Sequence, residues 1–237
     1  MGLPGPALHA SVTAAARSLF DADVAVAVTD TGAAHAPPFP AEAAHVARAT
    51  PARQAEFAAG RAAVRTAMAA LGLPPRPVVN GTDRAPVWPA GVTGSLSHCR
   101  SLCIAALVRS EAAASLGIDI EEDSPLDPAL IDIVCTPEER AMIAGPQAGA
   151  LAKLIFCAKE AAYKAQYPLT GLLFDFQTLE IAFDRDAPRF TATFRQPVGG
   201  FAVGAGLPGR HARVAGHLVT GVTLRHGAGG GAERWDR

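Results

Sequence analysis

The sequence is poor in the features that net charge, disulfide or membrane readings rest on. Its 21 Lys and Arg are balanced by 22 Asp and Glu, so no global field favours nucleic acid or an anionic membrane, and any anion site must be local. Four cysteines, Cys99, Cys103, Cys135 and Cys157, are too few and too irregularly spaced for a disulfide scaffold. "CRSLC" offers two thiols, but no second pair completes a zinc site, so the thiols are expected to be reduced and partly buried. Hydrophobic residues make up 49% of the chain, yet much of that is Ala, and no run approaches the roughly 18 uncharged apolar residues a membrane span needs. The opening "MGLPGPALHASVTAAARSLF" has no basic region followed by an apolar core, so it does not read as a signal peptide and the expected compartment is the cytoplasm. No internal sequence repeat is visible.

What is present is the patterning of a soluble globular chain of 237 residues, one domain or two small ones. In "ATPARQAEFAAGRAAVRTAMAALGLPP", Thr50 is a cap, Pro51 opens the helix, Gly72 lies just past its end and Pro74 beyond. "CTPEER" repeats the logic, with Glu139 three residues after the Thr136 cap as in a capping box. A third helix is expected from Ala148 to Gln166, halted before Pro168. The stretches "DVAVAVTD", "RPVVNG", "TGSLSH", "SLCIAALV", "SLGIDIE", "TLEIAF", "RFTATF" and "HLVTGVTL" read as strands, with "FDRDAPRF" turning a hairpin. Strands and helices mix without regular βαβ alternation, so the expected class is α+β. The chain divides near residues 110 to 116 into halves of similar length and composition: 1–112, 113–225, and a Gly-rich polar tail, 226–237, expected to be disordered.

Three clusters could do chemistry. In "SLGIDIEEDSP" a strand would place Asp119 and Glu121 on one face and Ile118 and Ile120 on the other. Two carboxylates on one face repel, unless a metal ion or basic side chains sit between them or solvent screens both. Glu122 and Asp123 read as the solvated start of a turn. In "FCAKEAAYKA", Glu160 and Lys164 share a helix face. Taken alone they are an ordinary ion pair on a solvated helix, worth about 0.3–0.5 kcal/mol. The third cluster is basic and split: Arg53 and Arg61 on the long helix, Arg84 in the turn-rich "NGTDRAPVWP", then Ser97 and His98 at a strand end. Together, Asp119, Glu121 and Glu160 with Arg, Lys and His have the composition of a phosphoryl-transfer site for a magnesium-bound diphosphate.

"GIDIE" followed by "FCAKEAAYK" resembles the G-[IV]-D-x-E and [FW]-x-x-K-E-x-x-x-K signature of 4'-phosphopantetheinyl transferases. "RQAEFAAGRAAVR", "APVWPAGVTGSLSHC" and "YPLTGLLFDF" resemble the large monomeric Sfp-type branch, especially bacterial enzymes of the enterobactin-synthetase-activating kind. The similarity runs from about Arg53 to Phe176. It implies two similar α+β halves related by a pseudo-twofold axis, with coenzyme A in the cleft between them. It also implies transfer of the phosphopantetheine arm to a serine of an apo acyl or peptidyl carrier protein, with 3',5'-ADP released. The implied partners are coenzyme A and the carrier, with no nucleic acid and no membrane, acting on a monomer.

Carried over by motif, Asp119, Glu121 and Glu160 hold Mg2+ on the diphosphate, and Glu160 is also the base for the incoming serine. Lys164 neutralises charge on the bridging or leaving phosphate, with Lys159 beside it. His98 contacts the diphosphate next to Ser97. Arg53 and Arg61 bind the 3'-phosphate and adenine side, Asn80, Gly81, Thr82, Asp83 and Arg84 wrap the nucleotide, and Phe174 lines the pantetheine channel. The sequence departs from the family pattern at Asn80 and Arg84, where relatives often carry a Gly-Asp-Lys style loop. It departs also at Phe156, where many have Trp, at Cys157, where serine is common, and at His211, where an aromatic residue is expected. Two other readings use the same residues: a magnesium-dependent nucleotide diphosphate hydrolase, and a non-catalytic coenzyme A or carrier-binding module.

Overall fold

Helix start and stop signals fix the two longest elements, and the strands are arranged around them. The chain is described over residues 5–227 of a computed structural model. The elements run α1 (Gly5–Arg17), β1 (Ala25–Asp30), α2 (Pro40–Ala43), α3 (Pro51–Ala70), β2 (Val79–Asn80), β3 (Pro86–Val87), β4 (Val92–His98) and β5 (Leu102–Arg109). Then come β6 (Ser115–Glu122), α4 (Pro128–Val134), α5 (Pro137–Met142), α6 (Ala148–Thr170), a 3-10 turn (Phe176–Thr178), β7 (Leu179–Phe183), β8 (Arg189–Phe194), β9 (Gly206–Val214) and β10 (His217–Leu224). The class is α+β, as expected. The strands form an antiparallel sheet β1-β5-β4, a second β6-β10-β9-β8-β7, and a small β2-β3 hairpin. Of the tail read at 226–237, residues 228–237 lie outside the described residues.

Thr50 caps α3 by accepting the Arg53 N–H at 3.3 Å, and Pro51 opens the helix. Gly72, at φ 70, takes the left-handed conformation that ends it. Thr136 and Glu139 complete the capping box of α5. Helix α6 runs past the expected stop: Pro168 lies inside its last turn, and Gly171, at φ 64, makes the cap. Near a terminus Pro168 removes one backbone donor, while packing of α6 on β6 and β10 holds the rest of the helix in place. Strand β9 was not legible, because Gly206, Pro208 and Gly209 read as turn residues. Gly209 is there for space: a Cβ on it would lie 2.2 Å from the Phe190 ring of the neighbouring strand.

In each half the first strand pairs with the last, β1 with β5 and β6 with β10, and the long helix, α3 or α6, packs on that pair. Helix α1 covers the opposite face of both: Val12, Ala16 and Phe20 join Ile104, Ile118, Ile120 and Val219 in one core that crosses the boundary between halves. The period of two predicted for β6 is therefore observed, with its isoleucines in this core and Asp119 and Glu121 turned away from it.

Each half also contains the same buried anchor. Glu42, 1% exposed, accepts the Phe39 N–H and the Val78 N–H, each at 2.8 Å, and pairs with Arg61 of α3 at 3.7 Å. Glu139, 0% exposed, accepts the Thr136 N–H and the Ile181 N–H, each at 2.7 Å, and takes Lys159 of α6 at 2.8 Å. One glutamate thus ties a short helix, the strand region after the long helix, and a cation on that long helix. Each carboxylate is buried with its charge paired and its lone pairs used, the condition for tolerating burial.

Candidate active site

The seam between halves lies where β4 runs beside β6. Ser95 Oγ accepts the Ile118 N–H at 3.0 Å, and Ser97 Oγ donates to Asp119 Oδ1 at 2.6 Å. Alternation along β4 puts both hydroxyls on the face toward β6. On the other side α6 presses on β6 at Gly117, where a Cβ would lie 1.8 Å from the Ala161 carbonyl oxygen. Only glycine permits that approach. It brings the Lys164 ammonium to Asp119 Oδ1 at 2.5 Å and to Ser97 Oγ at 2.9 Å. Asp119 Oδ2 is buried and has no partner. Glu160 Oε2 stands 3.9 Å from the Lys164 ammonium, and Lys153 donates to Glu121 Oε2 at 2.6 Å.

These carboxylates and Lys164 line a cleft of about 290 Å³ with Leu96, Ser97, His98 and Phe156. The question posed by two carboxylates on one strand face has a direct answer, since each is held by its own lysine. Lys153 escaped the sequence reading, although it lies two helical turns before Glu160 and so on the same side of α6. Burial raises Glu160 above the ordinary carboxyl range; Lys164 opposes the shift, and Asp119 and Glu121 add to it. Glu121 is raised by burial too, against its bond from Lys153. For Lys164 burial pulls downward, but Asp119 and Glu160 outweigh it, and the ammonium is held charged. Behind them Cys157 is buried, 3.3 Å from the Thr220 hydroxyl, its thiol pushed well above its ordinary value by burial. All four cysteines are free and buried, so the thiols are packing groups rather than nucleophiles.

At the cleft edge Arg53 donates to His98 Nε2 at 3.1 Å and pairs with Glu56 at 3.0 Å, which brings together two residues distant in sequence. Asn80, Gly81, Thr82, Asp83 and Arg84 form the tip of the β2-β3 hairpin, with Arg84 at φ 68 in the left-handed region. The Tyr167 hydroxyl of α6 donates to Asp83 Oδ2 at 2.7 Å and holds that carboxyl below its usual range. The hairpin and α6 line a cavity of about 640 Å³, which meets the carboxylate cleft at Leu96 and Lys164. Phe174 lines a separate pocket of about 220 Å³ with Glu160 and Tyr163, and packs edge-on against Tyr163 at 5.2 Å. His211 packs edge-on against Phe183 at 5.4 Å.

Two of the residues expected to contact the cofactor, Arg61 and Lys159, are buried against internal partners, and Lys159 also lines the Phe174 pocket. Arg61 is 2% exposed. It stacks on Phe57 at 4.2 Å and donates to Asn80 Oδ1 at 2.7 Å, and burial pulls its guanidinium down to about 10. It lies beneath the hairpin and reaches the loop only through Asn80. Lys159 spends its ammonium on Val134 O, Glu139 Oε2 and Phe176 O, at 2.8, 2.8 and 2.9 Å, which uses its three donors inside the second half. Glu122, expected to be solvated, accepts the Arg100 N–H at 3.1 Å, and His217 bonds Ser101 at 3.0 Å. Together they pin the turn that follows His98 to the end of β6. Sequence spacing gave no sign of these long-range ties.

The 4'-phosphopantetheinyl transferase N-terminal domain family matches residues 41–108, and the 4'-phosphopantetheinyl transferase superfamily matches residues 115–205. The 4'-phosphopantetheinyl transferase Svp of Streptomyces mobaraensis is 46% identical over 198 residues, 81% of this chain and 80% of its own. The chain belongs to the 4'-phosphopantetheinyl transferase family. The transferase PptT of Mycobacterium tuberculosis is 38% identical over 159 residues, 66% of this chain and 70% of its own. Enterobactin synthase component D of Escherichia coli is 38% identical over 132 residues, 54% of this chain and 62% of its own. As a member of this family the enzyme transfers the phosphopantetheine group of coenzyme A to carrier proteins. The two matches meet between residues 108 and 115, beside the seam at which Ser97 touches Asp119.

Proposed function

We propose that the seam cleft performs this transfer with magnesium, and that the buried Asp119 Oδ2 without a partner is the observation that carries the metal reading. Among the described residues no three His, Cys, Asp or Glu side chains converge into a ready-made metal cage. The donor set nevertheless fits a hard divalent ion: Asp119, Glu121 and Glu160 line one open cleft, all through carboxylate oxygen. Magnesium keeps several waters and takes one or two carboxylates plus substrate phosphate oxygens, so a closed cage is not required. Asp119, Glu121 and Glu160 would hold it, and it would supply neutralising charge on the diphosphate oxygens.

The chain's own residues do the rest. His98 and Arg53, linked at the cleft edge, present donors to the phosphates from the first half. The 80–84 hairpin, supported from below by Arg61 through Asn80, borders the nucleotide. Phe174 and Tyr163 take the pantetheine arm in the pocket that opens beside Glu160. Glu160 accepts the proton of the carrier serine hydroxyl as its oxygen attacks the phosphorus bearing the arm. The bond from that phosphorus to the bridging oxygen breaks, and 3',5'-ADP leaves with the negative charge. Lys164, held charged by Asp119 and Glu160, faces that developing charge. Burial raises the Glu160 carboxyl, which strengthens it as a proton acceptor beside its place in the metal set.

Both halves of one chain complete the site, which supports a monomer with two α+β halves, and the repeated Glu42 and Glu139 anchors support an approximate twofold relation between them. No helix among the described residues is long and apolar enough to cross a membrane. The experiment is mass spectrometry of an apo carrier incubated with the protein, coenzyme A and magnesium. A phosphopantetheine adduct is expected, and its absence across several acyl and peptidyl carriers overturns the transfer. Release of 3',5'-ADP without any carrier would favour hydrolysis instead. Asp119→Ala is expected to abolish transfer and magnesium binding together, and retained transfer with an unchanged magnesium response refutes the metal role.

A further inference from the structure

Lys153 backs the cleft wall through Glu121 and Phe156, and the proposed reaction gives it no task. Its ammonium lies 2.6 Å from Glu121 Oε2 and 5.3 Å from the centre of the Phe156 ring, with its side chain 15% exposed. Both neighbours line the carboxylate cleft. The ring fixes the ammonium on one side while the carboxylate fixes it on the other. Asp119, by contrast, shares its Oδ1 with Ser97 and Lys164 and keeps Oδ2 without a partner. Each strand carboxylate thus has one oxygen held by a lysine, Asp119 by Lys164 and Glu121 by Lys153, and Asp119 keeps its other oxygen buried without a partner.

We propose that Lys153 is an internal counter-cation that sets the divalent-cation affinity of this site, a reading that rests on the metal role given to Asp119, Glu121 and Glu160. Without it, the three carboxylates that line one cleft would have only Lys164 among them to offset their repulsion. Lys153 relieves that repulsion in the metal-free enzyme. The same charge opposes entry of a dication in two ways: it must release or share Glu121 Oε2, and it repels the arriving ion. The site is then weak for the metal alone and strong when the anionic diphosphate arrives with it. Lys153 is a positioning residue, acting through Glu121 rather than on substrate.

The test is Mn2+ binding, read by electron paramagnetic resonance of free Mn2+ and by calorimetry, on the full chain with and without coenzyme A. Lys153→Met keeps the stem against Phe156 and removes the charge. It is expected to bind Mn2+ alone on the order of tenfold more tightly than the wild type. Lys153→Arg is expected to restore the wild-type affinity. Lys153→Gln, expected to behave as Lys153→Met, serves if the methionine variant does not give a native melting transition. Equal or weaker Mn2+ binding by the uncharged variants overturns the assignment while leaving the metal reading intact. An arginine variant that behaves like methionine overturns it too, because charge would not be the cause. Absence of Mn2+ binding in every protein, even with coenzyme A, removes the metal reading and this inference with it.

Discussion

Gly117→Ala tests whether the seam geometry is set by one missing methyl group. A Cβ at 117 would lie 1.8 Å from the Ala161 carbonyl oxygen, 2.8 Å from the Ala165 nitrogen and 2.9 Å from the Ala161 carbonyl carbon. All three are helix backbone, so no side chain can swing aside, and α6 or β6 must move by more than about 1 Å to reach ordinary contact. Overpacking of this kind costs about 1–3 kcal/mol, to be read as a lower urea midpoint. The same displacement carries Glu160 and Lys164 away from Asp119, and a misplacement of about 1 Å costs on the order of 100-fold in rate. Transfer would be measured as the initial rate of holo-carrier formation under saturating coenzyme A. Gly60→Ala is the control: its Cβ would meet Leu96 Cδ2 at 3.4 Å, ordinary contact, and alanine is favoured over glycine inside a helix by up to about 1 kcal/mol. That variant is expected to keep its rate and to gain stability. Wild-type stability and rate in Gly117→Ala would refute the reasoning. Lost stability with an unchanged rate would show that helix position is not transmitted to the site.

Two further outcomes follow from the buried charges. Glu42→Ala leaves Arg61 buried without its carboxylate and strips the Phe39 and Val78 N–H groups of their acceptor, so urea unfolding is expected to show a loss of about 3 kcal/mol. A loss below about 0.5 kcal/mol, the range of ordinary surface substitutions, would show that the anchor bears nothing. Glu160→Gln is expected to abolish transfer yet raise the melting temperature of the metal-free protein at neutral pH by about 2 °C. The sign follows from the raised folded-state carboxyl: proton binding favours the folded state, that contribution is present below the unfolded-state range, and it is lost as pH rises through the folded value. The advantage of the glutamine variant should therefore shrink on acidification, and a pH-independent difference in scanning calorimetry would contradict the burial origin of the shift.

The motifs along the chain were legible because local chemistry writes them locally: a cap and a proline open α3, and alternation in β6 separates isoleucines from carboxylates. Convergence on one cleft was legible for Ser97, His98, Asp119, Glu121, Glu160 and Lys164. It failed where sequence neighbours face different ways. Lys159 and Glu160 are adjacent on α6 and both line the Phe174 pocket, yet the Lys159 ammonium is spent on Glu139 while Glu160 also lines the carboxylate cleft. Arg53 and Arg61 share α3, yet Arg61 is held by Glu42, a residue on another element whose burial no local pattern announces. Each buried glutamate bonds one amide three residues back and another far along the chain, and only the local bond, as in the Thr136–Glu139 capping box, leaves a sequence sign. Both buried cations, Arg61 and Lys159, are counter-ions of such glutamates. The two halves use their long-helix cation for the same structural purpose, and only the second half adds Glu160 and Lys164 facing the opposite way. If the two anchors serve the same structural purpose, disabling either should lower stability by a similar amount. Disabling the cleft residues should instead leave the fold standing, and parallel unfolding and rate measurements on Glu42→Ala, Glu139→Ala and Lys164→Met can separate the two.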